Sequence, residues 1–241
     1  MRKNFASARR FLRVAHRGAS GLAPENTLAA FELALRLGTD ALETDLRPCR
    51  DAIVAIHDAT LERTTSGRGH VSDFTLAELK HLDAGAGQRL PALHEVLDLG
   101  EKHSVHLFLE VKAHGSPDGD WVEQIAARVA RRRQLEQVTF ISFDVDALAR
   151  IKTAEPGART GWLLSRWRRA PWDQLKNFGA AVIAPRWNLL TAKRVAEAHK
   201  RGLQVMVWTV DDLAAMRRLI AVGVDALATN FPDRLNAALG R

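Results

Sequence analysis

Four short stretches of this chain end an apolar run on groups that can carry charge or move a proton. They are His16-Arg17-Gly18, Glu43-Thr44-Asp45, His57-Asp58 and Glu110-Val111-Lys112. In extended chain, residues two apart share a face, so Glu43 and Asp45 point the same way, as do Glu110 and Lys112. Val105, Leu107, Leu109 and Val111 form the opposite set, which turns Glu110 inward, where an unpaired carboxylate is costly. Three carboxylates on one rim need a counter-charge. A hard divalent cation with oxygen ligands, Mg2+ or Ca2+, supplies it. The alternative is a set of ordinary rim ion pairs with Arg17, Lys112 or other bases. Zinc fits less well, because the set is not rich in His or Cys and the chain has no HxH or HExxH. His16 and His57 are the acid/base candidates, since an imidazole titrates near neutrality without special tuning. Of the nine histidines, His70, His81, His94, His103, His106, His114 and His199 are read as structural or exposed. Arg17 can grip a pair of phosphoryl oxygens through its planar fork, and Gly18 lets the backbone turn closely past a bound anion.

Something must hold these groups together. Short β-branched and aliphatic runs alternate with segments of helical period, the pattern of a parallel α/β fold. Strands are expected at Leu12–His16, Ala41–Leu46, Val105–Val111, Val138–Ile141, Thr160–Leu164, Ala181–Ala184, Gln204–Trp208 and Ala226–Thr229. Eight strands suffice to close a (β/α)8 TIM barrel, a fold that typically needs about 250 residues; the chain has 241. In such a barrel reactive groups sit at the C-terminal strand ends, where the four stretches lie. Leu28, Phe31 and Leu35 give one helix its apolar stripe, and Leu213, Met216, Leu219 and Ile220 another. Asp211 is expected to cap the latter, and Thr191 the helix before it. The stretch at about 47–91 breaks the alternation and is read as a small insertion after the second strand, with a strand-like run at Ala52–Ile56. Residues 11–241 thus read as a single domain, preceded by a basic arm at 1–10.

The net charge of +7 attracts anions without specifying which. Much of it lies in Arg2, Lys3, Arg9, Arg10 and Arg13, in Arg131 to Arg133, and in Arg166, Arg168 and Arg169. Such clusters are commonly solvated helix ends and loops. No zinc-finger spacing, recognition-helix pattern or aromatic RNA-binding motif points to nucleic acid. The single cysteine, Cys49, rules out an internal disulfide and favours a reducing compartment. With no apolar h-region near the start and no run of about 18 apolar residues, the expectation is a cytoplasmic protein without stable membrane insertion. Nothing in the sequence fixes an oligomeric state.

The residues also spell a pattern. Ala15-His16-Arg17-Gly18, Pro24-Glu25-Asn26-Thr27, Glu43-Thr44-Asp45 and His57-Asp58 resemble the glycerophosphodiester phosphodiesterase family. The likeness continues through Arg63-Thr64-Thr65-Ser66-Gly67, Leu109-Glu110-Val111-Lys112, Val207-Trp208-Thr209-Val210 and Asn230-Phe231-Pro232-Asp233, in order and over nearly the whole chain. It departs at Asp51-Ala52, where Asp-Gly is commoner, and at Ala92-Leu93-His94-Glu95, where Thr-Leu-Glu-Glu is. The resemblance implies a (β/α)8 barrel with one divalent cation, Mg2+ or Ca2+, on Glu43, Asp45 and Glu110. It makes His16 and His57 the acid/base pair, with Arg17 and Lys112 on phosphate and Trp208 lining the pocket. Glu25 and Asn26 become supports for the rim, with Asn26 or Thr27 capping the helix that follows. The implied reaction is hydrolysis of glycerophosphodiesters to an alcohol and sn-glycerol 3-phosphate, within glycerol and lipid metabolism. The rivals are a phospholipase D-like cleavage of lysophospholipids and a non-catalytic anion-binding barrel.

Overall fold

Each barrel strand buries both faces, so its residues sort into two apolar layers. Leu12, Val14, Phe108, Ile141, Leu163, Val182, Met206 and Ala228 meet in one buried cluster on the barrel axis. The alternate positions face outward: Leu107, Leu109, Val111 and Phe140 pack on Phe31, Leu97, Ile125 and Val129. On the other side Val205, Val207 and Leu227 pack on Val195, Met216 and Leu219. Burial of each large side chain contributes about 1.5–3 kcal/mol.

The computed structural model describes residues 11–167 and 172–240. The basic arm at 1–10, and Arg168 and Arg169 of the third basic cluster, lie outside the described residues. The order of elements is β1 (Leu12–His16), α1 (Leu28–Arg36), β2 (Ala41–Pro48), β3 (Ile53–Ala55), α2 (Leu76–Leu79), α3 (Leu93–His103) and β4 (His106–Val111). It continues through α4 (Trp121–Arg131), β5 (Val138–Ser142), α5 (Val145–Ala154), β6 (Arg159–Leu164), α6 (Trp172–Asn177) and β7 (Val182–Pro185). It ends with α7 (Ala192–Lys200), β8 (Gln204–Val207), α8 (Leu213–Val222), β9 (Ala226–Thr229) and α9 (Pro232–Ala238). All strands but β3 pair in parallel, and β1 pairs with both β2 and β9. The sheet therefore closes into the eight-stranded TIM barrel expected from the alternation.

β3 is the extra strand. It runs antiparallel to the end of β2, with Leu46 opposite Ala55 and Pro48 opposite Ile53. The segment from the end of β2 to α3 has its own small core of Cys49, Val54, Ile56, Leu61, Val71, Leu79, Ala84 and Leu90. Its strand carries His57 to the rim beside the end of β2, and Ile56 N donates to the Asp45 carbonyl.

Helix starts follow the capping residues, with one correction. Thr27 Oγ1 accepts from Ala30 N and Thr191 Oγ1 from Arg194 N. Ala92 has no hydroxyl to cap α3, but Glu95 retains half of a capping box by accepting from Ala92 N at 2.8 Å. α8 is capped by Asp212, which accepts from Ala215 N, and not by Asp211 as expected. Two adjacent aspartates compete for one cap, and the chain turns Asp211 toward β9 instead. Trp208 also falls one residue beyond its strand, which stops at Val207; it forms a lone bridge with Arg186.

Candidate active site

The strand ends converge as parity requires. Glu43 and Asp45 at the end of β2 lie beside Glu110 near the end of β4, where Asp45 and Glu110 are register partners. One carboxylate oxygen from each of the three lies within 4.8 Å of the others, and all three residues are buried. Two cations offset them. Lys112 Nζ lies 3.0 Å from Asp45 Oδ1 and 2.6 Å from Glu110 Oε1. Arg17 Nε lies 3.0 Å from Asp45 Oδ2, and its Nη1 donates to Glu25 Oε1 at 3.0 Å. Rim ion pairs thus form on Asp45 and Glu110, while Glu43 Oε1 stays buried without a hydrogen-bond partner. An unpartnered buried carboxylate oxygen facing two more carboxylates is the donor set a hard cation takes, so the residues fit such an ion.

The protonation energetics agree. Burial, reinforced by the charges of Asp45 and Glu110, pushes the Glu43 carboxyl well above the usual range. Glu110 is pushed up to about 7 by burial and then by Asp45. Burial would raise Asp45 too, but Lys112 and Arg17 outweigh it and hold that carboxylate well below its ordinary value. Ionising all three carboxyls here is unfavourable, and a divalent cation is a charge that would offset it.

The turn after β1 brings backbone as well as side chains. Arg17 has φ +56° and Gly18 φ +78°, so both occupy the left-handed region. The turn aims Arg17 N at Glu43 Oε2, 3.0 Å away. A Cβ on Gly18 would sit 2.6 Å from the Ala30 carbonyl carbon, so glycine alone allows α1 to pack against this turn. Asn26, also left-handed at φ +55°, is buried. Its Nδ2 donates to Asp45 Oδ2 at 2.8 Å, while its Oδ1 accepts from Thr44 Oγ1. Of the two residues proposed to cap α1, Thr27 takes the cap and Asn26 holds the acidic cluster.

The two imidazoles differ in their anchors. His16 Nδ1 lies 2.7 Å from Asn230 Oδ1, and its Nε2 is 3.9 Å from Glu43 Oε2. Burial, followed by the charge of Arg17, lowers its pKa to about 4. His57 Nδ1 lies 2.6 Å from Asp58 Oδ1. Burial lowers His57 as well, against the pull of Asp45. Arg63 clamps Asp58 Oδ2 and both oxygens of Glu25, joining His57 to Arg17 through a chain of alternating charge.

His16, Arg17, Glu43, His57, Glu110, Lys112 and Trp208 line one cavity of about 170 Å³. Ile141, Phe143, Leu163 and Met206 complete an apolar wall opposite the charges. Trp208 is fixed there by Nε1 donating to the Ala184 carbonyl at 2.7 Å and by edge-on contact with Phe143. Of the eight residues singled out by sequence, seven line the cavity, and Asp45 lies just beneath it, fully buried. Sequence reasoning gave no role to Asp58, Arg63, Phe143, Met206 or Asn230. Asp58, Arg63 and Asn230 stood within recognised motifs, a signal that could have found them; Phe143 and Met206 carried none.

A TIM barrel with an acidic cluster, two anchored imidazoles and two cations in one small cavity defines a hydrolytic class of site for anionic substrates. The chain matches the glycerophosphoryl diester phosphodiesterase family over residues 16–234. It is 35% identical to a glycerophosphodiester phosphodiesterase of Caldanaerobacter subterraneus over 92% of this chain and 95% of the relative. Among solved structures, the glycerophosphodiester phosphodiesterase of Agrobacterium tumefaciens matches with a TM-score of 0.83 and 30% identity, covering 94% of this chain and 99% of that one. A phosphodiesterase of Oleispira antarctica, solved with the product sn-glycerol-3-phosphate, matches with a TM-score of 0.86 and 28% identity over 95% of this chain and 97% of its own. The chain belongs to the glycerophosphoryl diester phosphodiesterase family and is an enzyme of that class.

Proposed function

We propose that the chain hydrolyses glycerophosphodiesters to an alcohol and sn-glycerol 3-phosphate, using one divalent cation, Mg2+ or Ca2+, on Glu43, Asp45 and Glu110. The observation that carries this reading is the unpartnered Glu43 Oε1 within a buried carboxylate triad, flanked by Arg17, Lys112 and two imidazoles. A cation there supplies Lewis acidity toward a phosphoryl oxygen and lowers the pKa of a nearby hydroxyl. Arg17 and Lys112 hold the phosphate, and Trp208 with Phe143 packs on the carbon skeleton.

His16, neutral near pH 7, takes the proton of the attacking hydroxyl through Nε2. His57, oriented through Nδ1 by Asp58, gives a proton to the departing alkoxide. With a glycerol hydroxyl as nucleophile the first product is a cyclic glycerol phosphate, which water opens while the histidines exchange roles. Direct attack by water is the simpler variant.

The cavity of about 170 Å³ favours a small substrate over a lysophospholipid, since ligand pockets for larger molecules start near 300 Å³. Among the described residues Leu22, half exposed, is the one exposed large apolar side chain. Among those residues no helix is long and apolar enough to cross a membrane. The lone Cys49 supports a cytoplasmic setting.

Release of sn-glycerol 3-phosphate from glycerophosphocholine, glycerophosphoethanolamine, glycerophosphoglycerol and glycerophosphoinositol tests the reading, each with added cation and with chelator. We expect cation-dependent release from at least one of them and none from purified His16→Ala or His57→Ala protein. No release from any diester with Mg2+ or Ca2+ supplied, or near-normal turnover by His16→Ala, would sink it.

A further inference from the structure

Asp211 was expected to cap a helix and instead lies behind the cavity. Its Oδ1 accepts from Asn230 N at 2.9 Å and from Thr229 Oγ1 at 3.0 Å, and its Oδ2 accepts from Asn230 Nδ2 at 2.7 Å. A carboxylate can only accept, so the Asn230 amide must turn its nitrogen toward Asp211. That leaves Asn230 Oδ1 facing the His16 ring, 2.7 Å from its Nδ1. Ser20 Oγ lies 2.8 Å from the same oxygen and 2.7 Å from the His16 carbonyl, where its hydrogen also finds an acceptor. An amide oxygen cannot donate, so His16 Nδ1 must carry the ring proton, and Nε2 keeps its lone pair.

We propose that Asp211 and Asn230 are positioning residues that lock His16 in the Nδ1–H tautomer, aiming the Nε2 lone pair at the reacting hydroxyl. The order of dependence is fixed by chemistry: Asp211 orients the Asn230 amide, and the amide selects the tautomer. Thr229 and Ser20 hold the two ends of the relay. An unlocked imidazole would divide between two tautomers, and the Nε2–H form has no lone pair where the base is needed. The proposal rests on reading His16 as an acid/base group.

Asp211→Asn is the discriminating change. The new amide would place an N–H against Asn230 Nδ2 and drive that side chain to turn over. The Asn230 nitrogen would then face His16 Nδ1, forcing the ring proton onto Nε2. Ring 15N resonances of His16, assigned by comparison with His16→Ala, report the tautomer at pH 8 in metal-free protein. We expect Nδ1–H in the wild type and Nε2–H in Asp211→Asn. With cation and substrate, Asp211→Asn should lose kcat on the order of 10²–10³-fold, with KM changed less than about threefold. Asn230→Ala should show a mixed tautomer and a smaller loss. An Nε2–H ring in the wild type overturns the proposal whether or not Asp211→Asn folds. So does Asp211→Asn with a switched tautomer and undiminished kcat. Turnover retained by His16→Ala marks a different failure, that of the acid/base reading itself, and removes the relay's role with it.

Discussion

The acidic cluster predicts that cation affinity climbs with pH near neutrality. Glu110 titrates near 7 in the folded, cation-free protein, because burial and Asp45 resist its ionisation. A cation needs that carboxylate deprotonated, so binding must displace a proton below pH 7 and none well above it. Glu110 alone makes the apparent affinity about tenfold weaker at pH 6 than at pH 8, and Glu43, shifted in the same direction, adds to the slope. Stability carries the opposite sign. An acid whose folded pKa lies above its unfolded one favours the folded state at low pH and loses that contribution as pH rises. From the ordinary carboxylate value up to about 7, the cation-free protein should therefore lose about 3 kcal/mol through Glu110. Saturating cation restores it. Calorimetric titration of chelator-stripped protein with Mg2+ and Ca2+ at pH 6, 7 and 8 measures the first effect, and urea unfolding with and without cation the second. Glu110→Gln should bind more weakly at pH 8, and its affinity ratio between pH 8 and pH 6 should be smaller than the wild type's by about tenfold. Equal affinity at pH 6 and pH 8, or the full wild-type slope in Glu110→Gln, would refute the argument that this carboxyl is a strained ligand.

Two further outcomes follow from the same physics. Gly18→Ala places a Cβ 2.6 Å from the Ala30 carbonyl carbon at φ +78°, so it should cost on the order of 3 kcal/mol in urea unfolding and displace Arg17; near-wild-type stability would refute the close packing of α1 on this turn. His106, 1% exposed on the barrel axis with Nε2 2.9 Å from Thr139 Oγ1, has its pKa lowered to about 3, by burial first and Arg159 second. Because the unfolded imidazole protonates first, stability is lost as pH falls from about 6.5 toward 3, by about 3 kcal/mol at pH 4.5. His106→Met should flatten that part of the pH–stability curve, and an unchanged curve would show that His106 is not held neutral.

The barrel and its carboxylates were legible because both depend on short-range periodicity. Parity along β2 and β4 dictates which side Glu43, Asp45 and Glu110 face, and parallel pairing of those strands brings the sides together. The supports of the imidazoles obey no such rule. Asn230 reaches His16 across 214 positions, and only closure of β9 onto β1 makes them neighbours. Asp211 and Asp212 are chemically identical in the sequence, and helix period cannot tell which caps α8 and which turns back to Asn230. The insertion is a similar case: its turn residues predict a compact excursion, but not that Arg63 will clamp Asp58 and Glu25 at once.

The ion-pair and cation readings of the rim, set out as alternatives, are linked by charge. Arg17 and Lys112 bring two positive charges to three carboxylates, leaving one negative charge in excess when all three ionise. Their side-chain contacts fall on both oxygens of Asp45 and one of Glu110, while Glu43 receives the Arg17 backbone N–H on Oε2 and neither cationic side chain. The excess therefore falls on Glu43, whose carboxyl is held well above its ordinary range by burial and by the charges of Asp45 and Glu110. On the proposed function, a divalent cation would replace that deficit with a surplus, and an anionic phosphodiester would complete the neutralisation. The same arithmetic lets Arg17 and Lys112 hold Asp45 ionised without a cation.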